Sequence, residues 1–160
     1  MNNLILLRHA KSSWKNSSLN DFERPLSNRG RLDAPKMAER LMHRGIQIHL
    51  IVSSGARRTT DTANIFADII NYKSEIVFDD SLYDASYREI LSVINQLDNK
   101  FENVLLVCHN PGITNIVNYL LGSFIENIPT TGIVGLITDC IWEKVNEKSC
   151  TCSFYDYPKK

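Results

Sequence analysis

The chain has 160 residues, 43% hydrophobic and 22% charged, with 18 Lys plus Arg balancing 18 Asp plus Glu. That composition suits one folded domain spanning 1–160, long enough to bury a core without metal or disulfide staples. It excludes a disordered tail, a collagen-like repeat and a protein whose main business is coating nucleic acid or an anionic membrane.

Asn3 to Leu7 is a short apolar run that stops at Arg8-His9, as a buried strand would. Residues 11–26 are polar and aromatic by turns and read as a loop. Ser27 is a candidate cap for a helix with Ala34, Met37, Ala38, Leu41 and Met42 at its apolar positions. Pro35 belongs only in a first turn, so the regular helix is expected to begin near Asp33, itself able to cap, and to end at Gly45. A second strand covers Ile48 to Val52 and is broken by Ser53-Ser54-Gly55. The next helix runs from about Ala56 to Ile70, with Ala63, Phe66, Ala67 and Ile70 inward. Glu75 to Phe78 is a candidate third strand, and the spacing of Ile90, Leu91, Ile94 and Leu97 predicts a helix over 87–97. Val104 to Val107 is the clearest strand; Pro111 sits where proline favours a helix start, and Gly122 closes that helix. The last third reads as two or three β-runs near 132–138, 140–145 and 150–155. Alternating strands and helices predict an α/β fold: a three-layer α/β/α sandwich with a mostly parallel central sheet and an antiparallel edge.

No apolar stretch approaches the roughly 18 residues of a membrane span. The first residues show no basic segment with a long apolar run behind it. Four cysteines, Cys108, Cys140, Cys150 and Cys152, match no paired zinc spacing. The expectation is a cytoplasmic protein with free thiols.

Ligands of open α/β sheets bind just beyond the carboxyl ends of the strands. Three such tips carry Arg8-His9-Ala10, Ser53-Ser54-Gly55-Ala56-Arg57-Arg58 and His109-Asn110-Pro111-Gly112. If those strands are neighbours, two histidines and two or three arginines converge with no carboxylate at the tips. Guanidinium forks match phosphate oxygens, and helix starts near Ala56 and Pro111 add N–H donors, so the crevice reads as an anion site. A metal is the weaker reading, because the guanidiniums repel a cation and no ligand cluster is present.

The segment Leu4-Ile5-Leu6-Leu7-Arg8-His9-Ala10-Lys11-Ser12-Ser13-Trp14 resembles the histidine phosphatase superfamily, whose fold is phosphoglycerate-mutase-like, and within it the short SixA-type phosphohistidine phosphatases. Further matches follow in order: Asp21-Phe22-Glu23-Arg24-Pro25-Leu26-Ser27 with Gly30, Ser53 to Arg58 with Thr62-Ala63, Leu82-Tyr83-Asp84-Ala85, and Val107 to Gly112. The resemblance implies that His9 is the phosphorylated nucleophile, Arg8 its partner, Arg58 the second phosphate arginine (Arg57 being the neighbouring alternative) and His109 the second active-site histidine. Lys11, Arg24 and Asn110 are candidate substrate-binding residues. Many relatives use a glutamate as general acid; the nearest carboxylate here by position is Asp84. Gly55 stands where many relatives have proline, and His49 where many have aspartate.

The implied activity is a phosphatase that needs no metal or other cofactor and acts through a phosphohistidine intermediate, with a phosphohistidine-bearing protein as substrate. A small-molecule phosphomonoesterase and a non-catalytic phosphate-binding module are the alternatives. Arg8 and Arg58 are expected to keep His9 neutral. Trp14 is expected to cover the loop, Cys108 to be a buried thiol, and His49 to sit at a strand start.

Overall fold

Leu4, Ile5, Leu6 and Leu7 expose none of their surface, so the first strand must be covered on both faces. In the computed structural model, which describes all 160 residues, it is β1 (Asn2–Arg8). Its side chains alternate between two separate cores. Leu4 and Leu6 join one, and Ile5 and Leu7 the other. The strand β4 (Asn103–Cys108) divides in the same way, with Val104, Leu106 and Cys108 opposite Leu105 and Val107.

The sheet has six strands in the order β3-β2-β4-β1-β5-β6, where β2 is Leu50–Ser53, β3 is Val77–Phe78, β5 is Ile133–Thr138 and β6 is Thr151–Asp156. β1, β2, β3 and β4 run parallel. β5 lies antiparallel to β1, and β6 antiparallel to β5. α1 (Asn28–His43) and α2 (Arg57–Ile69) cover one face through Met37, Leu41, Ala63 and Phe66. α3 (Tyr87–Asn95) and α4 (Gly112–Leu121) cover the other through Ile90, Ile94, Ile116 and Leu120. This is the expected three-layer α/β/α sandwich, with a mostly parallel sheet and an antiparallel edge. No helix is long and apolar enough to cross a membrane.

Three local expectations change. α1 starts at Asn28, not near Asp33, and holds Pro35 inside it. The Ser27 hydroxyl accepts the Gly30 N–H at 3.1 Å and donates to the Lys11 carbonyl, and the Ser27 N–H donates to that same carbonyl at 2.8 Å. This tethered cap outweighs the one backbone bond that proline removes. A Cβ at Gly30 would overlap the Lys11 carbonyl oxygen, so glycine lets the helix start press on the segment after β1. Residues 140–145 form a 3₁₀ turn at Trp142–Lys144, not a strand. Trp142 is fully buried, its indole N–H donates to the Phe101 carbonyl at 2.8 Å, and the Asn95 amide donates to the carbonyls of Trp142 and Val145. Those side-chain bonds satisfy the backbone where a ladder was expected. The third strand shrinks to two exposed residues at the sheet edge.

The connections set the position of the site. The chain leaves β1 toward the face covered by α1 and leaves β4 toward the face covered by α4. β1 and β4 are neighbours, so their carboxyl ends part around a crevice, the switch point where α/β sheets bind ligands.

Candidate active site

Arg8 and Cys108 are paired across β1 and β4, and the His9 N–H donates to the Cys108 carbonyl at 3.2 Å. The next residues, His9 and His109, therefore stand side by side. Their ring centroids are 5.3 Å apart and both side chains are buried.

His9 Nδ1 lies 2.7 Å from the Ala10 carbonyl oxygen. A carbonyl only accepts, so Nδ1 carries the proton and Nε2 keeps a lone pair. Burial is the chief cause that lowers the His9 pKa to about 3; the positive field of His109, Arg58 and Arg8 adds to it, against the Ala10 bond. Arg8 and Arg58 act in the expected direction, behind burial and His109. His109 falls to about 4, again by burial first and then by Arg58. The Ala10 N–H donates to Thr62 Oγ1 at 3.0 Å, and that hydroxyl donates to the Arg58 carbonyl at 2.7 Å, tying the β1 tip to the first turn of α2.

These shifts imply a pH dependence of stability. A histidine whose folded pKa lies below its unfolded value binds fewer protons when folded, so stability is full above about 6.5 and falls as pH drops toward the folded values of about 3 and 4. Each such group contributes a slope of up to about 1.4 kcal/mol per pH unit in that window. Urea unfolding at pH 7 and pH 5 should show the loss. NMR titration should leave the ring signals of His9 and His109 flat between pH 8 and pH 5; inflections near 6.5 would contradict it.

Arg58 is buried and reaches inward, whereas Arg57 is exposed and pairs with Asp61 at 3.8 Å. The Arg58 fork donates to the Asp21 carbonyl at 2.7 Å and to Asp21 Oδ2 at 3.0 Å. Arg8 donates through Nη1 to the Ile128 carbonyl at 2.8 Å, while its buried Nε has no partner. A cavity of about 200 Å³ is lined by Arg8, His9, Lys11, Ser12, Arg24 and Arg58. A second, of about 170 Å³, is lined by Asp21, Arg58, Tyr83, Asp84, His109 and Asn110. Arg58 is the wall they share. The largest cavity, about 500 Å³, opens around Ile48, His49, Ile70 and Tyr72, at the other end of the strands.

The strand tips themselves carry no carboxylate, but a loop supplies one to the crevice. The loop after β1 brings in Asp21, which accepts from Arg58, from Arg24 at 2.9 Å and from the Tyr83 hydroxyl. The Tyr83 bond, followed by the two arginines, holds its carboxyl well below the usual range. Sequence reasoning singled out Arg24 and passed over Asp21, although their i, i+3 spacing was a usable signal. Tyr83 was missed as well. Its ring stands edge-on to His109 at 5.5 Å and to Phe22 at 5.0 Å, forming an aromatic wall.

The remaining candidates differ in how free they are. Lys11 is exposed at the rim. Arg24 is buried, with its donors committed to Ser12, Ser13 and Asp21, and stacks 3.2 Å over the ring of Trp14. Trp14 itself is 72% exposed, so it covers little beyond that guanidinium. The Asn110 amide donates to Asn127 Oδ1 at 2.7 Å and accepts from the Thr114 hydroxyl at 2.7 Å, so it braces the loop. Asp84 lines the second cavity with φ at 53°, in the left-handed region. Burial pushes the Cys108 thiol up to about 12, which removes it as a nucleophile. His49 Nδ1 accepts the N–H groups of Glu102 and Asn103, bridging the starts of β2 and β4. No group of three or more His, Cys, Asp or Glu is arranged to hold a metal.

A neutral imidazole with an open lone pair, a second neutral imidazole and two inward guanidiniums make a site suited to a tetrahedral oxyanion. Comparison with known proteins gives the same direction. Residues 4–91 match the family described as the histidine phosphatase superfamily (branch 1). A chloroplastic protein of Arabidopsis thaliana, of uncharacterised function, is 36% identical over 115 residues, which are 71% of this chain and 51% of that protein; the chain thus spans about half the length of that relative. A structure from Agrobacterium tumefaciens assigned as the phosphohistidine phosphatase SixA superposes with a TM-score of 0.85 at 26% identity, covering 98% of each chain. A protein histidine phosphatase SixA solved with tungstate superposes with a TM-score of 0.85 at 21% identity, covering 98% of this chain and 97% of that one.

Proposed function

The chain belongs to the histidine phosphatase superfamily, branch 1, and from that membership we propose a phosphatase that works through a covalent phosphohistidine on His9 and acts on phosphohistidine borne by a protein. The observation that carries this reading is the His9 ring, whose Nδ1 is tied to the Ala10 carbonyl and whose Nε2 has no partner, 5.3 Å from His109. Nε2 attacks phosphorus and the bond to the leaving group breaks. Arg8, Arg58 and His109 hold the phosphoryl oxygens as charge shifts among them. Water then attacks phospho-His9, releasing phosphate and restoring the imidazole. The tungstate in the SixA relative, a tetrahedral oxyanion, supports a phosphoryl site.

The leaving group separates substrate classes. An alkoxide needs a proton from an acid, whereas an imidazole protonated on its far nitrogen leaves neutral. Asp21 is locked as a carboxylate by Tyr83, Arg58 and Arg24 and is no donor near pH 7. Asp84 is the other carboxyl on the cavity wall. Asp84→Asn should leave turnover of a phosphohistidine peptide nearly unchanged and should cost about 10²-fold or more on a simple alkyl phosphate. Severe and equal losses on both substrates would overturn the acid-independent route. Faster wild-type turnover of alkyl phosphates would favour a small-molecule phosphomonoesterase.

A further inference from the structure

We propose that Ser54 is a positioning residue that fixes the tautomer of His109, putting its ring proton on Nδ1 so that Nδ1 donates to the incoming phosphoryl group. The inference rests on reading the crevice as a phosphoryl site, but its central observable is a property of the resting protein. Ser54 lies just past β2, fully buried, and its Oγ is 2.8 Å from His109 Nε2. The hydroxyl oxygen accepts the Ala56 N–H at 3.4 Å, and its proton has no acceptor other than His109 Nε2. The backbone of the residue is pinned on both sides. Its N–H donates to the Val107 carbonyl at 3.1 Å, and its carbonyl accepts from the hydroxyls of Ser53 and Thr59 at 2.9 and 2.8 Å.

A serine that donates to Nε2 leaves a neutral imidazole with its proton on Nδ1. Burial and the nearby guanidinium keep that ring neutral. Nδ1 is itself buried and without a partner in the chain. Leaving such an atom unsatisfied is costly in a folded protein unless water or a ligand completes it. Against an oxyanion only one tautomer is productive: N–H attracts a phosphoryl oxygen, whereas a lone pair repels it. Ser54 thus acts from the β2 tip on a histidine of the β4 tip, and the third strand end joins the other two in building one site.

The test reads nitrogen chemical shifts. In uniformly ¹⁵N-labelled protein, long-range correlations from the ring protons of His109 should show a protonated Nδ1 and an unprotonated Nε2 near pH 7. A protonated Nε2 in the wild type means that Ser54 accepts rather than donates, and overturns the proposal. Adding inorganic phosphate or vanadate should move the Nδ1–H signal downfield; no movement on saturation overturns the donor role. Ser54→Ala should let the Nε2-protonated form appear and lower kcat about tenfold, with a smaller change in KM; an unchanged tautomer there also overturns it. If the protein proved to lack phosphatase activity, the tautomer measured without ligand would still decide whether Ser54 sets it.

Discussion

His9→Ala should eliminate acid-labile phosphate on the protein and lower turnover by about 10⁴-fold or more. The reason is specific to the geometry. Only His9 offers an unpartnered imidazole nitrogen with its lone pair held open by a backbone bond on the opposite side of the ring. His109 is 5.3 Å away but has one nitrogen engaged by Ser54, and the buried Cys108 thiol, with a pKa of about 12, supplies no thiolate. Incubation with ³²P-labelled substrate, alkaline gel separation and autoradiography measure the intermediate. Undiminished labelling of the alanine variant would assign the nucleophile elsewhere.

Arg58→Ala is expected to lower kcat/KM by about 10²–10³-fold, the usual cost of one donor to a developing oxyanion. Two effects act together. The phosphoryl group loses a guanidinium that lines both cavities. Asp21 also loses a partner that helps hold its carboxylate in place, leaving negative charge free beside the bound anion. Arg58→Lys should recover only part of the activity, because an ammonium cannot reproduce the two bonds the planar fork makes to the Asp21 carbonyl and carboxylate. Arg57→Ala, in contrast, should be nearly silent, since Arg57 is exposed and its one ion pair is with Asp61. Steady-state kinetics on one phosphohistidine peptide compare all three variants. A large loss in Arg57→Ala with a small one in Arg58→Ala would reverse the assignment.

What could be read from the chain alone follows from the reach of each signal. The buried strands were legible because four aliphatic residues in a row have few other uses, as at Leu4 to Leu7. The convergence of His9 and His109 with an arginine from the tip of β2 followed from the rule for strand ends, whereas the choice of Arg58 over Arg57 came from the family resemblance. The start of α1 was misjudged because Pro35 is a local signal, while the contact that fixes the cap, Ser27 with Lys11, depends on how the loop folds back. Trp142 was assigned to a strand because its partners, Asn95, Asn99 and Phe101, lie more than forty positions earlier. Asp21 and Tyr83 are 62 residues apart, and neither hints at the other until the loop after β1 lies against the turn before α3. Side-chain networks of that span have no periodicity to betray them.

The sheet order has a consequence for how the molecule is made. β1 pairs with nothing near it in the chain: Asn3 meets Asn103, and Leu4 meets Leu136. During synthesis the first strand must wait, unpaired and strongly apolar, until its β4 partners, 100 positions further on, have left the ribosome. Such late, non-local closure makes folding slow and leaves a nascent chain vulnerable to aggregation. The tip that carries His9 therefore gains its neighbour strand late, and a chain cut short before β4 would lack both that strand and His109 beside the ring.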